Sequence, residues 1–485
     1  MTGFVQILRC FCCLAVPFTA LGALAADPGG FDAGPAYAKF ALTLSSGWRE
    51  EAAGPFYYWQ DAGGQEQWAL PPFFCQTRTP AVDWSEWDLF YPVLSYRRFG
   101  PEYRFQAAQL LSLSGGQQVE GAAERRVTLF PVFFSQRSPD TNLNYTALVP
   151  FYGHLQNRLL RDRIDFVLFP LYSETRKNDV VTDNYLYPIF DLRHGDGMTG
   201  WQVWPLAGAE HKAPTLRTNL LDEVTTNGGY EKSFALWPFY FDSRLGLGTT
   251  NPASSITVVP FFSQTLSPSR DQTSYGWPFG YNVIDDREQN YSERDLLWPL
   301  FVRARGSKTV DRCFPFYSRA LNKDLESDFY AWPFYKFNRL QAPPLDRRRT
   351  RLLGFLYSDT VELNTQNGQE ARRVDFWPFY SFHRDKDGSR RLQALALLEP
   401  FFPNNRAIRR EYSQLWSVWR SEENALTGAT SQSLLWNLYR REQSAESKKT
   451  SLLFGLFQYQ STLEGGCCRV CGVAFGKKTA ATPKS

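Results

Sequence analysis

Few residues in this sequence have the type and spacing for chemistry. There are four histidines, His154, His194, His211 and His383. An imidazole acting as general base needs a nucleophile in front of it and an orienting acid behind it. No nucleophile elbow, Gly-rich phosphate loop or His-Glu-x-x-His run accompanies any of them, and all four lie near turn signals, so they are read as solvated side chains. The segment Asp83-Trp84-Ser85-Glu86-Trp87-Asp88 sets carboxylates beside aromatic rings, an arrangement suited to sugars. It also reads as an ordinary strand with a polar face, and that reading is preferred because tryptophan recurs at the corresponding place elsewhere in the chain. Cys467-Cys468-Arg469-Val470-Cys471 contains a C-x-x-C, but a zinc site needs a second pair or nearby histidines, and a redox site needs a βαβ context. These cysteines are therefore read as a local disulfide or inert thiols. No catalytic, cofactor-binding or metal-ligating residue is assigned, and no cofactor is expected.

The elements that would hold such residues come from one recurring unit, an aromatic residue, a proline and two large apolar residues. Phe376-Trp377-Pro378-Phe379-Tyr380 is the clearest copy. Trp237-Pro238-Phe239-Tyr240, Phe314-Pro315-Phe316-Tyr317, Trp332-Pro333-Phe334-Tyr335 and Phe169-Pro170-Leu171-Tyr172 are close to it. Looser copies surround Pro55, Pro72, Pro92, Pro131, Pro150, Pro188, Pro205, Pro260, Pro278, Pro299 and Pro400, and Gly354 takes the proline's place once. Degenerate copies are read near Leu110-Leu111 and at Asn219-Leu220-Leu221. Three late units carry Ser417, Asn437 and Gly455 at the anchor. The result is about twenty units of about 19 residues, a period that marks a repeat architecture.

Turn chemistry falls midway between anchors: Asn178-Asp179, Gly195-Asp196-Gly197, Asn227-Gly228-Gly229, Asn367-Gly368 and Asp387-Gly388. Asn-Gly and Asp-Gly between aromatic flanks are strong hairpin signals, because the favoured turn needs positive φ. Each unit is therefore strand, turn, strand, with a bend at the proline, which has no N–H for a ladder. Helix is disfavoured by the prolines and by the lack of a helical stripe. Around an anchor both parities are apolar: Phe166, Leu168 and Tyr172 on one, Val167, Phe169 and Leu171 on the other. The expected fold is all-β, repeated antiparallel β-hairpins forming a closed ring or barrel-like repeat body, with apolar bases packed together and polar tips. The tryptophans before the anchors (Trp204, Trp237, Trp277, Trp298, Trp332, Trp377) are expected to fill the shared core rather than to form an exposed ring at a bilayer interface.

The chain divides into a signal peptide (1–25), a lead-in or cap (26–53), the repeat domain (54–464) and a C-terminal strand with a loose tail (465–485). Arg9, the apolar Cys10–Leu24 run and Ala23-Leu24-Ala25 have the order of an export signal. With 53 basic and 49 acidic residues, a net charge of +4 excludes a nucleic-acid footprint. The aromatic-Pro-Phe-Tyr unit following a signal peptide resembles uncharacterised bacterial envelope proteins built from repeated β-hairpins, some of them β-flower-like. The resemblance covers about Pro55 to Tyr459 and implies an all-β ring-like body.

The expected function is an exported, non-enzymatic β-repeat protein of the cell envelope, in the periplasm or at the outer membrane. It would act as a scaffold or binding module for a polar or envelope ligand, with membrane association possible and no nucleic-acid partner. The alternative is an outer-membrane β-barrel serving as a channel or transporter. Against it, membrane strands alternate apolar and polar over ~9–11 residues, whereas both parities here are apolar for about seven. A carbohydrate-active enzyme is a more distant alternative. Cleavage is expected after Ala25, leaving Ala26 at the mature N-terminus. Mass spectrometry of the exported protein checks this, and recovery of peptides containing Arg9 would refute it.

Overall fold

A computed structural model describes residues 33–117, 123–218, 224–403, 405–463, 465–471 and 473–475. The segment expected to be a signal peptide (1–25) and the last ten residues lie outside them. Over the described residues the protein is all-β, with 43 strands in one antiparallel sheet. Nearly every strand pairs with its neighbours in sequence, as Tyr152–Arg158, Arg161–Val167, Tyr172–Lys177 and Val180–Tyr185 do. In such a meander alternate connections must fall at opposite ends of the strands. All anchor turns therefore gather at one end of the sheet and all polar tips at the other.

The proline does mark a bend into a new strand. In Leu168-Phe169-Pro170-Leu171 the Leu171 N–H donates to the Leu168 carbonyl at 2.8 Å across a cis Phe169–Pro170 bond, a turn with cis-proline at its third position. The proline carbonyl then takes an N–H from the next turn. Phe169 donates to Pro150, Tyr187 to Pro170, Trp237 to Pro205 and Trp332 to Pro315, at 2.7 to 2.8 Å. A proline at this place needs only its carbonyl, and such bonds make the turn end a bonded rim. Gly354 does not take the proline's place, because the Leu356 N–H donates to the Leu353 carbonyl and Gly354 itself donates to Pro333 at 2.9 Å, which puts Phe355 where the other turns carry proline.

Parity then sorts the side chains. The strand position nearest each anchor forms one row that register carries from strand to strand, for example Val167, Tyr172, Tyr185, Phe190 and Val203, or Tyr317, Tyr330, Tyr335, Leu352 and Tyr357. The next position faces the other way. There Cys75, Asp88, Ser173, Asn184, Asp191, Ser318 and Asp375 are buried, which defines the inward face. That face is polar over much of its length, with small apolar clusters such as Tyr145, Ala147, Leu155 and Phe166. The expectation that both faces are apolar around the anchor is corrected by the position of the turn. Leu168 to Leu171 belong to the turn, so only Phe166, Val167 and Tyr172 of that run are strand residues, Phe166 inward and the paired Val167 and Tyr172 outward.

Other expectations change as well. The lead-in contributes strands Tyr37–Ala41 and Gly47–Ala52, the latter paired with Tyr57–Ala62, so the sheet begins before residue 54. The Asn219-Leu220-Leu221 copy lies outside the described residues, and around it the sheet passes from Ala207–Lys212 directly to Gly229–Ala235. Thr215–Thr218 and Val224–Asn227 form a separate hairpin at that tip, with residues 219–223 themselves outside the described set. Pro400 and Ser417 belong to a single long connection, because Ala394 pairs with Trp419. That connection contains a π-helical turn, Ile408–Tyr412, and a short α-helix, Ser413–Trp416, where no helix was expected.

No backbone pairing among the described residues joins the first strand to the last, so closure as a ring is not part of the observed pairing. The two ends of the sheet instead meet through side chains. Arg440 lies over the Phe40 ring at 4.2 Å and 3.6 Å from Glu51, Asn424 Nδ2 donates to the Leu44 carbonyl at 2.9 Å, and Phe56 meets Trp436 edge-on at 5.3 Å.

The inward and outward faces should respond differently to truncation. Phe166→Ala, in a buried cluster, should destabilise by about 3–5 kcal/mol, whereas Phe334→Ala, at an exposed turn, should change stability by less than about 0.5 kcal/mol. Urea titration of the two variants checks this, and equal losses would contradict the assignment of faces.

Candidate functional site

Two features stand out: the apolar turn end and a polar chamber on the inward face. At the turn end the residue after each anchor is apolar in every unit, from Phe56 through Phe151, Phe239 and Phe379 to Leu456. Most of these side chains are exposed, Phe316 at 69% and Phe334 at 60%, while Leu300, Leu438 and Leu456 are half-buried. The anchor tryptophans do not fill a common core either, since Trp237 is 47% and Trp332 50% exposed, with Trp298 similar. Trp204, Trp277 and Trp377 are half-buried. The core expectation fails because the turns pack sideways on one another, not face to face across an interior. Trp204 lies 5.5 Å from Trp237, Phe314 5.7 Å from Trp332 and Phe355 5.5 Å from Trp377. The belt is layered: phenylalanine and aliphatic residues at the tips, tyrosine prominent one position back, and charged residues beyond.

The chamber lies between the early strands, Gly47–Ala52 through Trp84–Leu89, and the strands Arg390–Ala394 through Tyr439–Gln443, and it has a volume of about 680 Å³. The long connection 395–418 leaves the turn end and folds into this space. Glu399 anchors it, accepting hydrogen bonds from Trp416 Nε1 at 3.1 Å, Gln393 Nε2 at 3.0 Å, the Leu398 N–H at 3.1 Å and the Ser413 hydroxyl. Tyr412 and Asn405 reach the opposite turn at Tyr91, the tyrosine hydroxyl donating to the Tyr91 carbonyl at 2.5 Å and Asn405 Nδ2 to the Tyr91 hydroxyl at 3.0 Å. Arg410 donates to Asp88 at 2.7 Å and to Thr77 at 2.9 Å.

Arg410 lies beside two buried carboxyls that touch each other, Asp88 and Glu411, both fully shielded from solvent. Burial and the Asp88 charge push the Glu411 carboxyl up to about 8, and burial followed by the neighbouring Glu86 raises Asp88. A proton held between Glu411 and Asp88 gives one carboxyl a donor while Arg410 neutralises the other. Nearby, burial pushes the Cys75 thiol up to about 11, so it is a poor nucleophile.

The residues singled out in the sequence are dispersed. His154 pairs with Asp165 at 2.5 Å, His194 lies 3.7 Å from Asp183, His211 3.3 Å from Glu231 and His383 3.3 Å from Asp385. None of these pairs faces a nucleophile in the contacts described, and burial with nearby arginines lowers His383 below the ordinary imidazole value. In the Asp83–Asp88 segment, Glu86 and Asp88 both point inward, but Glu86 pairs with Arg97 at 3.2 Å and Asp83 lies at a turn 3.6 Å from Arg98. The five described cysteines are free thiols, without a local disulfide in the Cys467–Cys471 cluster. Among the described residues no group of three or more His, Cys, Asp or Glu is gathered to hold a metal ion. Sequence reasoning missed the chamber, whose walls come from opposite ends of the chain. Spacing gave no local signal, because Pro400 and Ser417 stand one ordinary repeat length apart.

No protein-family model matches the chain, and no curated protein matches it.

The buried acid pair gives a pH signature. Unfolded, Glu411 ionises near its ordinary value of 4.5, while folded it holds its proton to about 8. The folded state therefore binds the extra proton, and this contribution to stability is full below about pH 4.5 and is lost as pH rises through about 8. Melting temperature should fall across that window, and Glu411→Gln should flatten the fall. An unchanged slope in the variant would refute the assignment.

Proposed function

We propose that this protein is an exported, non-enzymatic β-repeat protein of the bacterial cell envelope, a ring-like body that rests its turn end in one leaflet of a membrane and holds a polar binding chamber against it. The observation that carries the reading is the exposed apolar belt at the rim of hydrogen-bonded turns. Isolated exposed apolar side chains need no explanation, but a contiguous belt of this extent marks an interaction surface. Lipid suits its layering. Phenylalanine and aliphatic tips would enter the acyl region, tyrosine and tryptophan would sit at the headgroup level, and charged strand residues would remain in water.

The depth distinguishes resting on a membrane from crossing it. A spanning barrel needs strands of ~9–11 residues, and no described strand exceeds eight. The apolar band comprises a turn and one outward row, about 10 Å at ~3.3 Å per strand residue, which matches the 5–10 Å burial of interfacial elements. Covering the exposed half of one phenylalanine tip gives about 1 kcal/mol, half the value for full burial. Several tips acting together are enough for stable attachment. No helix among the described residues is long and apolar enough to cross a membrane, which leaves β-structure as the relevant contact.

Vesicles of phosphatidylethanolamine and phosphatidylglycerol test the reading. The mature protein should co-sediment with them, its tryptophan emission should shift to the blue, and alkaline carbonate should release it. Combining Phe316→Asp, Phe334→Asp and Phe379→Asp, all at exposed tips, should weaken binding at least about ten-fold without loss of fold. A wild-type protein that stays in the supernatant, or that only detergent can extract, would overturn the reading, as would unchanged binding by the triple variant.

A further inference from the structure

The chamber wall is strongly cationic, with seven arginines against the carboxylates of Glu422 and Glu442. Four of the seven are held in ion pairs: Arg49 with Glu51 and Arg420 with Glu422, each at 2.7 Å, Arg440 with Glu442, and Arg410 with Asp88. Arg391, Arg406 and Arg409 have no carboxylate within 4.0 Å among the described residues, although Arg391 lies opposite Glu422 in the ladder. Arg391 and Arg409 are half-buried and Arg406 is exposed. Burial and the charges of Arg391, Arg406 and Arg420 hold Arg409 below the ordinary guanidinium value, so these cations repel one another where water is scarce.

A solvated charged face accounts for paired surface arginines. It does not account for three guanidiniums without a carboxylate partner lining one half-open pocket, two of them partly stripped of water, because a charge that loses water without a partner is destabilising. We propose that the chamber binds a phosphate-bearing ligand, gripped by Arg391, Arg406 and Arg409. Planar guanidinium forks match phosphate oxygens in bidentate geometry, and a doubly charged phosphate relieves the repulsion of several cations at once. The volume falls within the range of small-molecule pockets. Gln60, Gln67, Ser431 and Ser433 line the same space and supply neutral donors and acceptors for a hydroxyl-rich remainder.

The ligand has two possible sources. Arg406 and Arg409 lie on the connection that leaves the turn end, just past the exposed Phe401 and Phe402, so a lipid headgroup drawn from the leaflet and a free phosphate ester offer the same chemistry. The inference does not depend on membrane attachment, since a soluble phosphate can be bound by a protein that ignores vesicles.

The experiment uses the mature protein with inorganic phosphate, then glycerol 3-phosphate, then phosphatidylcholine vesicles with and without phosphatidic acid. Melting temperature should rise with millimolar soluble phosphate if the ligand is free, or vesicle binding should depend on phosphatidic acid if it is a headgroup. The double variant Arg391→Gln with Arg409→Gln should melt at a higher temperature than wild type without ligand, through relief of repulsion, and should lose about ten-fold or more in phosphate affinity. Arg287→Gln, at a site paired with Asp271 and outside the chamber, should leave both readouts unchanged. No response to either soluble phosphate and no dependence on phosphatidic acid would overturn the proposal, and so would an unaltered phosphate response in the double variant.

Discussion

The structure depends on strands of about six residues closed by a turn at each end, with side chains alternating between two faces. Pairing neighbour to neighbour sends the anchor turns to one end, and the pleat fixes which side each residue takes. Because the proline carbonyl of one turn accepts an N–H from the next, the turns are spaced by backbone hydrogen bonds as the strands are. A row of apolar residues can then run along the sheet on the outward side while the next position, directed inward, is polar for long stretches. This distribution is the reverse of a soluble sandwich, in which the apolar face is enclosed.

An open sheet of this length leaves two edges, each a row of unsatisfied backbone groups. Here the first two strands and the turn between them are held by side chains to the strands Trp419–Asn424 and Tyr439–Gln443: a cation over an aromatic ring, an amide on a carbonyl, and the Arg440–Glu51 ion pair. The connection 395–418 adds a second lock, with Glu399 fixing its own base and Arg410 bridging to Asp88 on a strand more than three hundred residues earlier. Such a junction carries buried charge that a hydrophobic seam would avoid. Its specific geometry sets the two ends in one arrangement and leaves a chamber between them.

The two faces accordingly have separate uses in the proposed function. The apolar turn end meets a hydrocarbon environment, and the cationic interior meets an anion. The connection 395–418 takes part in both, with Phe401 and Phe402 exposed near its start and Arg406, Arg409 and Arg410 near its middle. The repeat supplies a broad surface of equivalent positions, and the single interruption supplies a local site.

The sequence by itself determined the strand-turn-strand unit. Proline cannot donate to a ladder, and Asn-Gly or Asp-Gly tips need positive φ, so Pro170, Pro378 and Asn367-Gly368 identified bend and tip without reference to the rest of the chain. Periodicity also predicted the meander, since both signals are local. Only the tertiary structure decided which residues are strand and which are turn within a run such as Phe166 to Tyr172, and hence whether an aromatic side chain is enclosed or exposed. A shift of the strand boundary by one residue exchanges the two faces, and composition does not register that shift. The chamber was likewise invisible in the sequence: Asp88 and Glu411, or Arg49 and Arg440, become neighbours only when the sheet's ends meet, and that depends on the twist accumulated over every strand between them.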